Sequence, residues 1–295
     1  MAAATPRRIL VGMDSSGQAE NALNAAIGLA ERTDAELMLV HGVPSSQSSP
    51  EALVQARDAL SVQCEAHISG ARLPAGFLDE RLLVEPTEHA SQLVLKRAAE
   101  WQADLVVLGR HRPRGWLHFG NTVRGVLSEA PCPVWIQSGP VRALRRILVP
   151  VDLSRESLAA LRLACAWAAV WDARLIVLHC FVPPELFSSA EEPMPAPTYV
   201  IDSLGREERV QFELVMAEFD FGAVPHELQF VQAEPVARIL RVQDDVDLVM
   251  MGTHGRTGLS GALLGNVADS VLRSGHVPVV AFRHPERSWL LGADA

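Results

Sequence analysis

The stretch RRILVGMDSSGQAENALNAAIGLAERTDAELMLVHGV, residues 7–43, decides the fold, because its pattern returns as RRILVPVDLSRESLAALRLACAWAAVWDARLIVLHCFV at residues 145–182. Each copy reads as an apolar strand, a helix with apolar residues at helical spacing, and a second apolar strand. Asp14 corresponds to Asp152 and His41 to His179, both at an offset of 138 residues. The chain therefore contains a duplicated domain of about 140 residues rather than a short repeat.

The remainder of each half continues to alternate strands and helices. Third strands are predicted at residues 77–84 and 226–232, fourth strands at 103–109 and 246–252, and fifth strands at 132–137 and 277–282. Strands that alternate with helices form parallel sheets with right-handed crossovers. The predicted fold class is α/β: two tandem repeats of a five-stranded parallel sheet flanked by helices. The predicted domains are residues 1–140 and 145–286, with a linker at 138–146.

Two further structural predictions concern the edges of these repeats. The last strands of the two halves are expected to pair, which covers exposed sheet edges and forms an internal pseudo-dimer. The proline-rich segment at residues 182–202 is expected to form a flexible flap without regular helix or strand.

Composition excludes several classes of protein. The net charge of −9 disfavours general binding to nucleic acid. No apolar run reaches transmembrane length, and the N-terminus lacks the apolar region of a signal peptide, so the prediction is a soluble cytoplasmic protein without membrane contact. Lys96 is the single lysine, and no Gly-Lys-Ser or Gly-Lys-Thr occurs, which excludes a standard P-loop.

The cysteines, serines, histidines and aspartates of the chain do not occur at the spacings of known catalytic or metal-binding motifs. The four cysteines have no CxxC spacing, so buried free thiols are expected rather than disulfides or a zinc site. There is no Gly-x-Ser-x-Gly nucleophile elbow and no convincing acid–base pair. His41 and His179 are interpreted as packed, hydrogen-bonded histidines. Three clustered aspartates are interpreted as helix-end and turn residues, namely Asp244, Asp245 and Asp247. Four tryptophans are interpreted as core or interface residues, namely Trp101, Trp135, Trp167 and Trp171.

The loop after the fourth strand of the second half carries the strongest chemical signal. The stretch GTHGRTGLSGALLGN, residues 252–266, places five glycines between a strand and a helix. Glycine lets a backbone approach a ligand closely, and the free N–H groups and dipole of a helix start attract an anion. Arg256 and His254 add positive charge. The alternative is that the glycines only turn the chain, and spacing alone leaves these two interpretations equally supported.

A family resemblance favours phosphate binding. Gly252-x2-Gly255-x9-Gly265 followed by a small polar residue resembles the nucleotide motif of universal stress proteins. The ILVPVD strand with its terminal Asp152, the position of His179 and the last Val-Pro-Val-Val strand are similar as well. Because the resemblance covers nearly the whole chain twice, the sequence resembles a tandem universal stress protein. It implies a Rossmann-like fold and a stress-response protein that binds ATP or another adenine nucleotide, with or without Mg²⁺.

The resemblance also implies roles for individual residues. Asp152 would contact the ribose or base; alternatively, it closes an Asp-x-Ser turn in which Ser154 caps the first helix, and the two roles are compatible. The glycines would pass close to the phosphates, and the helix start would offer backbone N–H groups. Asn266 departs from the Ser or Thr usual in the family, although its amide can still donate to a phosphate. The predicted nucleotide-binding residues are Val151, Asp152, Gly252, His254, Gly255, Arg256, Gly265, Asn266 and Val267.

The first half departs further from the motif. Arg112 replaces the second glycine, Pro113 stiffens the loop, and the loop is two residues shorter. A triphosphate cradle of the same shape should not survive these changes. The basic residues of this loop, Arg110 among them, are interpreted as solvated charge in preference to a site for another anion or an acidic partner. The weaker candidates in this half are Asp14, Gly109, Gly120, Asn121 and Thr122.

Three hypotheses of function follow. The leading one is a cytoplasmic regulatory or interaction module whose second domain binds an adenine nucleotide, with pairing of two chains as a homodimer. The second is a nucleotide-free dimerising scaffold. The third is a slow ATP hydrolase or nucleotidyl transferase, for which the sequence shows no water-positioning group.

Overall fold

The computed structural model describes residues 5–110, 121–187, 193–195, 197–253 and 264–283, and these residues form an α/β fold in two repeats. The first repeat contains β1 (Arg8–Gly12), α1 (Gly17–Thr33), β2 (Glu36–Pro44), α2 (Pro50–Ile68), α3 (Phe77–Arg81), β3 (Leu82–Thr87), α4 (Ala90–Glu100), β4 (Leu105–Gly109), α5 (Asn121–Glu129) and β5 (Val134–Gln137). The second contains β6 (Arg146–Pro150), α6 (Arg155–Trp171), β7 (Arg174–Phe181), β8 (Glu185–Phe187), β9 (Pro193–Pro195), α7 (Thr198–Glu218), β10 (His226–Gln232), α8 (Pro235–Val242), β11 (Leu248–Gly252), α9 (Asn266–Ser274) and β12 (Val279–Phe282).

The two repeats share one ten-stranded sheet with the order β10-β7-β6-β11-β12-β5-β4-β1-β2-β3. Within this ten-stranded sheet, all neighbouring strands of the same repeat are parallel. The repeats meet where β5 and β12 pair in antiparallel register, with Trp135 opposite Val280. The predicted parallel repeats and the predicted pairing of their last strands are therefore confirmed, and the pairing removes two sheet edges from solvent.

Both repeats begin with the same local structure. Ser16 caps α1 by accepting a hydrogen bond from the Ala19 amide, and Ser154 caps α6 by accepting one from the Ser157 amide. Each helix ends at a left-handed aspartate, Asp34 or Asp172. These caps satisfy backbone groups that a helix end otherwise leaves without partners, so the duplicated sequence folds into duplicated structure.

A second duplicated device fixes the start of each repeat. The Oδ2 atom of Asp104 accepts hydrogen bonds from the Arg7 and Arg8 amides at 2.8 and 3.0 Å. Asp247 does the same for the Arg145 and Arg146 amides, at 2.8 and 2.9 Å. Asp247 therefore acts in a turn, as predicted, and each carboxylate ties the start of the first strand of its repeat to the start of the fourth.

The prediction of the third strand in the first half was wrong at its start. Residues 77–81 form the short helix α3, and the strand covers Leu82–Thr87. Gly76 adopts a left-handed conformation (φ 74°) that starts this turn, and Phe77 is buried. The Arg57 guanidinium from α2 donates to the carbonyls of Leu78 and Leu82 at 3.0 and 2.7 Å, which holds the turn against the strand. This contact between distant segments was not visible in the local pattern.

The proline-rich segment also differs from the prediction that it lacks regular structure. β8 and β9 form an antiparallel two-stranded sheet, and α7 begins at Thr198 directly after Pro197. Proline is tolerated in edge strands, and both strands of a two-stranded sheet are edges. Residues 188–192 and 196 lie outside the described part of the chain.

All four cysteines are free thiols, as predicted. Burial raises the pKa of Cys64 and Cys180 to about 11 and that of Cys165 to about 12. Burial also raises the pKa of Cys132. Raised pKa values leave less of the nucleophilic thiolate at neutral pH.

A tryptophan cluster joins the repeats on one face of the sheet. Trp135 of β5 packs against Trp167 and Trp171 of α6, with ring centroids 5.3 and 6.5 Å apart. Trp135 and Trp167 are buried. Aromatic pairs at these separations stabilise beyond the area that they bury, and the predicted core or interface role of these residues is confirmed.

Arg110 joins the repeats on the other side of β5, and its interpretation as solvated loop charge was wrong. Its side chain is 6% exposed. The guanidinium donates hydrogen bonds to the carbonyl of Gly275 and, at 2.5 Å, to the carbonyl of Arg273. These carbonyls lie at the carboxyl end of α9, where the helix dipole favours a cation. An arginine of the first repeat thus caps a helix of the second.

Replacing Arg110 should weaken this junction. We expect Arg110→Met to lower the free energy of unfolding by about 2 kcal/mol, because the buried Gly275 carbonyl and the part-buried Arg273 carbonyl lose a charged donor. Urea unfolding followed by circular dichroism measures the change. The control is Arg241→Met, which removes an exposed arginine from the last turn of α8. Equal midpoints for the two variants would contradict the capping role.

Candidate nucleotide site

The candidate site of the second repeat lies at the carboxyl ends of β6 and β11, which are neighbours in the sheet. In open α/β sheets, ligands bind in crevices at this edge, where the strand order reverses. The chain leaves β6 through Val151 and Asp152 and leaves β11 at Gly252. Val151 is buried, and Asp152 and Gly252 are partly buried. The fold therefore brings these predicted site residues to one edge.

Asp152 forms the predicted Asp-x-Ser turn. Its Oδ1 atom accepts hydrogen bonds from the Ser154 amide at 3.0 Å and from Ser154 Oγ at 2.5 Å. Ser154 Oγ in turn accepts from the Ser157 amide at 3.2 Å, and the intervening Leu153 is left-handed (φ 64°). The capping alternative is thus realised in the geometry. This turn is compatible with a ligand role, because a carboxylate can accept several hydrogen bonds.

Gly252 has a packing role that the sequence did not reveal. A Cβ atom at this position would lie 3.2 Å from the Ser157 amide nitrogen and 3.2 Å from the Glu156 carbonyl carbon. The first turn of α6 therefore approaches the end of β11 so closely that a side chain would crowd it. The first glycine of the loop is needed for helix packing as well as for any approach of a phosphate.

The equivalent Gly109 is under a stronger constraint of the same kind. A Cβ atom there would lie 2.8 Å from the Ala19 amide nitrogen and would overlap the Gln18 carbonyl. Since the first-half loop has lost the second glycine of the motif, helix packing alone explains why Gly109 is a glycine.

The base of the glycine loop is closed by backbone hydrogen bonds. The Thr253 amide donates to the Phe282 carbonyl at 2.8 Å, and the Gly265 amide donates to the Thr253 carbonyl at 2.7 Å. Thr253 is 1% exposed. These bonds bring the start of α9 to the end of β11, so Gly265, Asn266 and Val267 lie beside Gly252 at the base of the loop.

The start of α9 differs from the start of α6. Gly265 is its N-cap residue, in an extended conformation (φ −65°, ψ 147°), and no side chain of the described residues caps it. Asn266, the first helical residue, is exposed. Asp269 in the first turn is paired with Arg273 at 2.6 Å, which offsets its negative charge. The first-turn N–H groups of α9 are therefore available for an anion.

His179 positions the end of β6. Its Nδ1 atom lies 2.9 Å from the Val151 carbonyl, and Nε2 lies 3.1 Å from Glu208 of α7. The ring is 2% exposed and stacks between Phe212 and Phe230. The packed, hydrogen-bonded interpretation is confirmed. Glu208 was missed in the sequence, since a carboxylate inside a charged helix gives no local signal.

The described residues of the first repeat form part of the corresponding site. Asp14 forms the same turn with Ser16, and His41 Nδ1 lies 2.8 Å from the Met13 carbonyl. Thr122 lies in the first turn of α5. Arg110 directs its guanidinium to the carbonyls at the end of α9. Gly120 and the Asn121 side chain lie outside the described residues, as do His254, Gly255 and Arg256 of the second repeat.

Comparison with known proteins agrees with the duplication. The universal stress protein family matches residues 5–137 and again residues 143–283. The chain belongs to the universal stress protein family, in its tandem form. A universal stress protein of Mycolicibacterium smegmatis is 27% identical over 293 residues, which cover 95% of this chain and 98% of the relative. One from Methanocaldococcus jannaschii is 28% identical over 144 residues, or 48% of this chain and 84% of the relative.

Solved structures of this family share the fold along the whole chain. A putative universal stress protein from Pseudomonas aeruginosa aligns with a TM-score of 0.67 at 22% identity, covering 99% of this chain and 98% of the other. One from Archaeoglobus fulgidus aligns with a TM-score of 0.64 at 16% identity, covering 96% and 99%. The predicted Rossmann-like universal stress protein fold is therefore confirmed.

Across residues 5–110, 121–187, 193–195, 197–253 and 264–283, no three His, Cys, Asp or Glu side chains come together in a group that could hold a metal ion. Within the same ranges, no helix has the length and apolar character needed to cross a membrane.

The two equivalent glycines give a stability prediction. Gly109→Ala should destabilise the protein more than Gly252→Ala, because its Cβ overlaps backbone whereas that of Gly252 only crowds it. Overpacking of this kind costs about 1–3 kcal/mol, and we expect Gly109→Ala at the upper end. Urea unfolding of both variants against the parent protein measures the difference. A larger loss in Gly252→Ala would show that the packing at these turns is misassigned.

Proposed function

We propose that this universal stress protein binds ATP or another adenine nucleotide in its second domain, residues 145–286, and acts in the cytoplasm as a nucleotide-dependent regulatory or interaction module. The observation that carries the proposal is the start of α9. Its first-turn amides have no side-chain cap among the described residues and lie beside the closed base of a glycine-rich loop. Such amides, together with the helix dipole, form a site for negatively charged oxygen atoms.

The hydrogen-bonding groups of Asp152 and Asn266, at the carboxyl edge of the second sheet, support the same proposal. Asp152 lies at the end of the neighbouring strand, where a carboxylate can accept from a ribose hydroxyl or an adenine amino group. The Asn266 amide, backbone or side chain, donates where the family usually has Ser or Thr. Mg²⁺, if bound with the nucleotide, would be held mainly by its phosphates and by water.

Nucleotide occupancy regulates only if the nucleotide binds two states of the protein unequally. The described contacts suggest how the site and the repeat junction are linked. Thr253, at the loop base, bonds to the end of β12, and β12 pairs with β5 of the first domain, residues 1–140. We propose that nucleotide bound at the start of α9 alters this shared strand through the hydrogen bond from Thr253, and that two chains associate as a homodimer.

A specific observation favours a second candidate, a nucleotide-free scaffold. Both Asp152 and Gly252 have structural roles that require no ligand, in helix capping and helix packing. Mass spectrometry of the denatured protein discriminates the two functions, since the first predicts co-purified adenine nucleotide and the second predicts none.

Removing a single amide tests the proposed phosphate site. Proline lacks the N–H group but is favoured at the first position of a helix, and Gly265 already has the extended conformation that a following proline requires. Asn266→Pro should therefore keep the fold and weaken ATP binding about tenfold or more, because the phosphate loses one charge-assisted hydrogen bond. Isothermal titration calorimetry measures the affinity.

The matched control for this variant is Asn266→Ala, which removes the side chain and keeps the backbone N–H group. It should lose less affinity than Asn266→Pro. Affinity for ATP in Asn266→Pro equal to that of the parent protein would mean that the start of α9 does not hold the phosphates.

The asymmetry of the repeats predicts the stoichiometry. Titration with ATP should give one nucleotide per chain, because the first-half loop carries Arg112 in place of a motif glycine and Arg110 is committed to the end of α9. Native mass spectrometry of the saturated protein gives the number bound. Two equivalent nucleotides per chain would contradict the assignment of the site to the second repeat.

A further inference from the structure

A cavity of about 1000 Å³ lies between the two repeats. Its walls are α1, the end of β5, the connecting segment 138–145, the end of α6 and the residues that precede β11 and β12. Asp152, Gly252, Gly265 and Asn266 do not line it, so it is separate from the candidate nucleotide site. Its volume is at the upper end of the range for small-molecule pockets.

Two tryptophans form an aromatic wall of the cavity. Trp135 and Trp171 stand at 69° to each other with their centroids 6.5 Å apart. Trp135 Nε1 donates to Gln137 Oε1 at 2.9 Å, and Gln137 Nε2 donates to the Gly139 carbonyl at 3.0 Å. The wall is therefore fixed in orientation and tied to the connecting segment. Fixed aromatic rings favour a planar apolar group packed against them.

The charge around this wall is positive, although the whole chain has a net charge of −9. Arg32, Arg142 and Arg145 line the cavity and are exposed. Arg32 lies over Trp171, with its guanidinium carbon 5.9 Å from the ring centroid. Asp247 is the one carboxylate among the lining residues that the structure describes, and its Oδ2 atom already accepts two backbone amides. This distribution favours an anionic ligand.

Gly28 keeps the cavity open. It lies inside α1, where glycine is less favourable than other residues. A Cβ atom there would meet nothing within 4 Å, so packing does not require the glycine. The corresponding residue of α6 is Ala166, at the repeat offset of 138. The glycine is therefore found at the position of α1 that lines the cavity, whereas the equivalent position of α6 has a side chain.

We propose that this cavity binds a small organic anion with a planar apolar body. The body packs against Trp171, whose ring is partly exposed and is supported from behind by the buried Trp135. Its carboxylate or sulfonate group is bound by Arg32 and by the arginines of the connecting segment. The site is a product of divergence between the repeats. Trp171 corresponds to Thr33 and Trp135 pairs with Val280, so the pseudo-symmetric position lacks both aromatic groups.

Filling the cavity is the sharpest test. The probe is anilinonaphthalene sulfonate, an aromatic sulfonate whose binding is followed by its own fluorescence and by energy transfer from tryptophan. The parent protein should bind it saturably, and Gly28→Leu should weaken binding at least about tenfold by occupying the space. The urea midpoint of Gly28→Leu should equal or exceed that of the parent, because leucine is the better helix former. The control is Gly70→Leu, another position where a Cβ meets nothing within 4 Å but which lies outside the cavity.

A second pair of variants tests the chemistry without depending on Gly28. Arg32→Gln and Trp171→Leu should each weaken the probe about fivefold or more, through lost charge and lost stacking. Their controls are Arg81→Gln and Trp101→Leu, since Arg81 lies over Trp101 at the same 5.9 Å distance but away from the cavity. No saturable binding by the parent protein, undiminished binding by Gly28→Leu, or equal losses in the controls would each overturn the proposal.

Discussion

The antiparallel pairing of β5 with β12 is the constraint on which the rest of the structure depends. It turns two five-stranded parallel sheets into one ten-stranded sheet and brings helices of different repeats side by side. On one face, this contact buries Trp135 against α6. It also brings Arg110 to the end of α9. Both contacts link residues that are far apart in sequence, and neither exists within a single repeat.

Duplication and divergence act on different parts of this protein. The elements that fold a repeat are present twice: the Asp-x-Ser turn, the serine cap, the histidine bound to a strand-end carbonyl, and the aspartate that ties two strand starts. The elements that make the repeats unequal lie at the junction and in the loops after the fourth strands. There, Arg110 corresponds to Thr253 and Trp171 to Thr33. The divergent residues surround the cavity and the glycine loop, which is where the two proposals of binding are made.

The glycines of the loop illustrate how packing and ligand binding share residues. Gly109 and Gly252 are both required by the close approach of a helix to the end of a strand. A nucleotide motif can therefore keep its first glycine after the loop has lost the capacity to bind phosphate. For this reason the uncapped start of α9, rather than the number of glycines, carries the proposed function.

The sequence by itself determined the duplication, the five main strands of each repeat, their parallel arrangement and the family, because hydrophobic periodicity and capping residues act over short distances. It also placed Asp152, Gly252 and Asn266 at one sheet edge, since parallel strands end together. Only the tertiary structure decided the role of Arg110, the short helix before β3, the partner of His179 and the cavity between the repeats. Each of these depends on contacts between residues more than about twenty positions apart in sequence, and local sequence patterns do not predict such contacts.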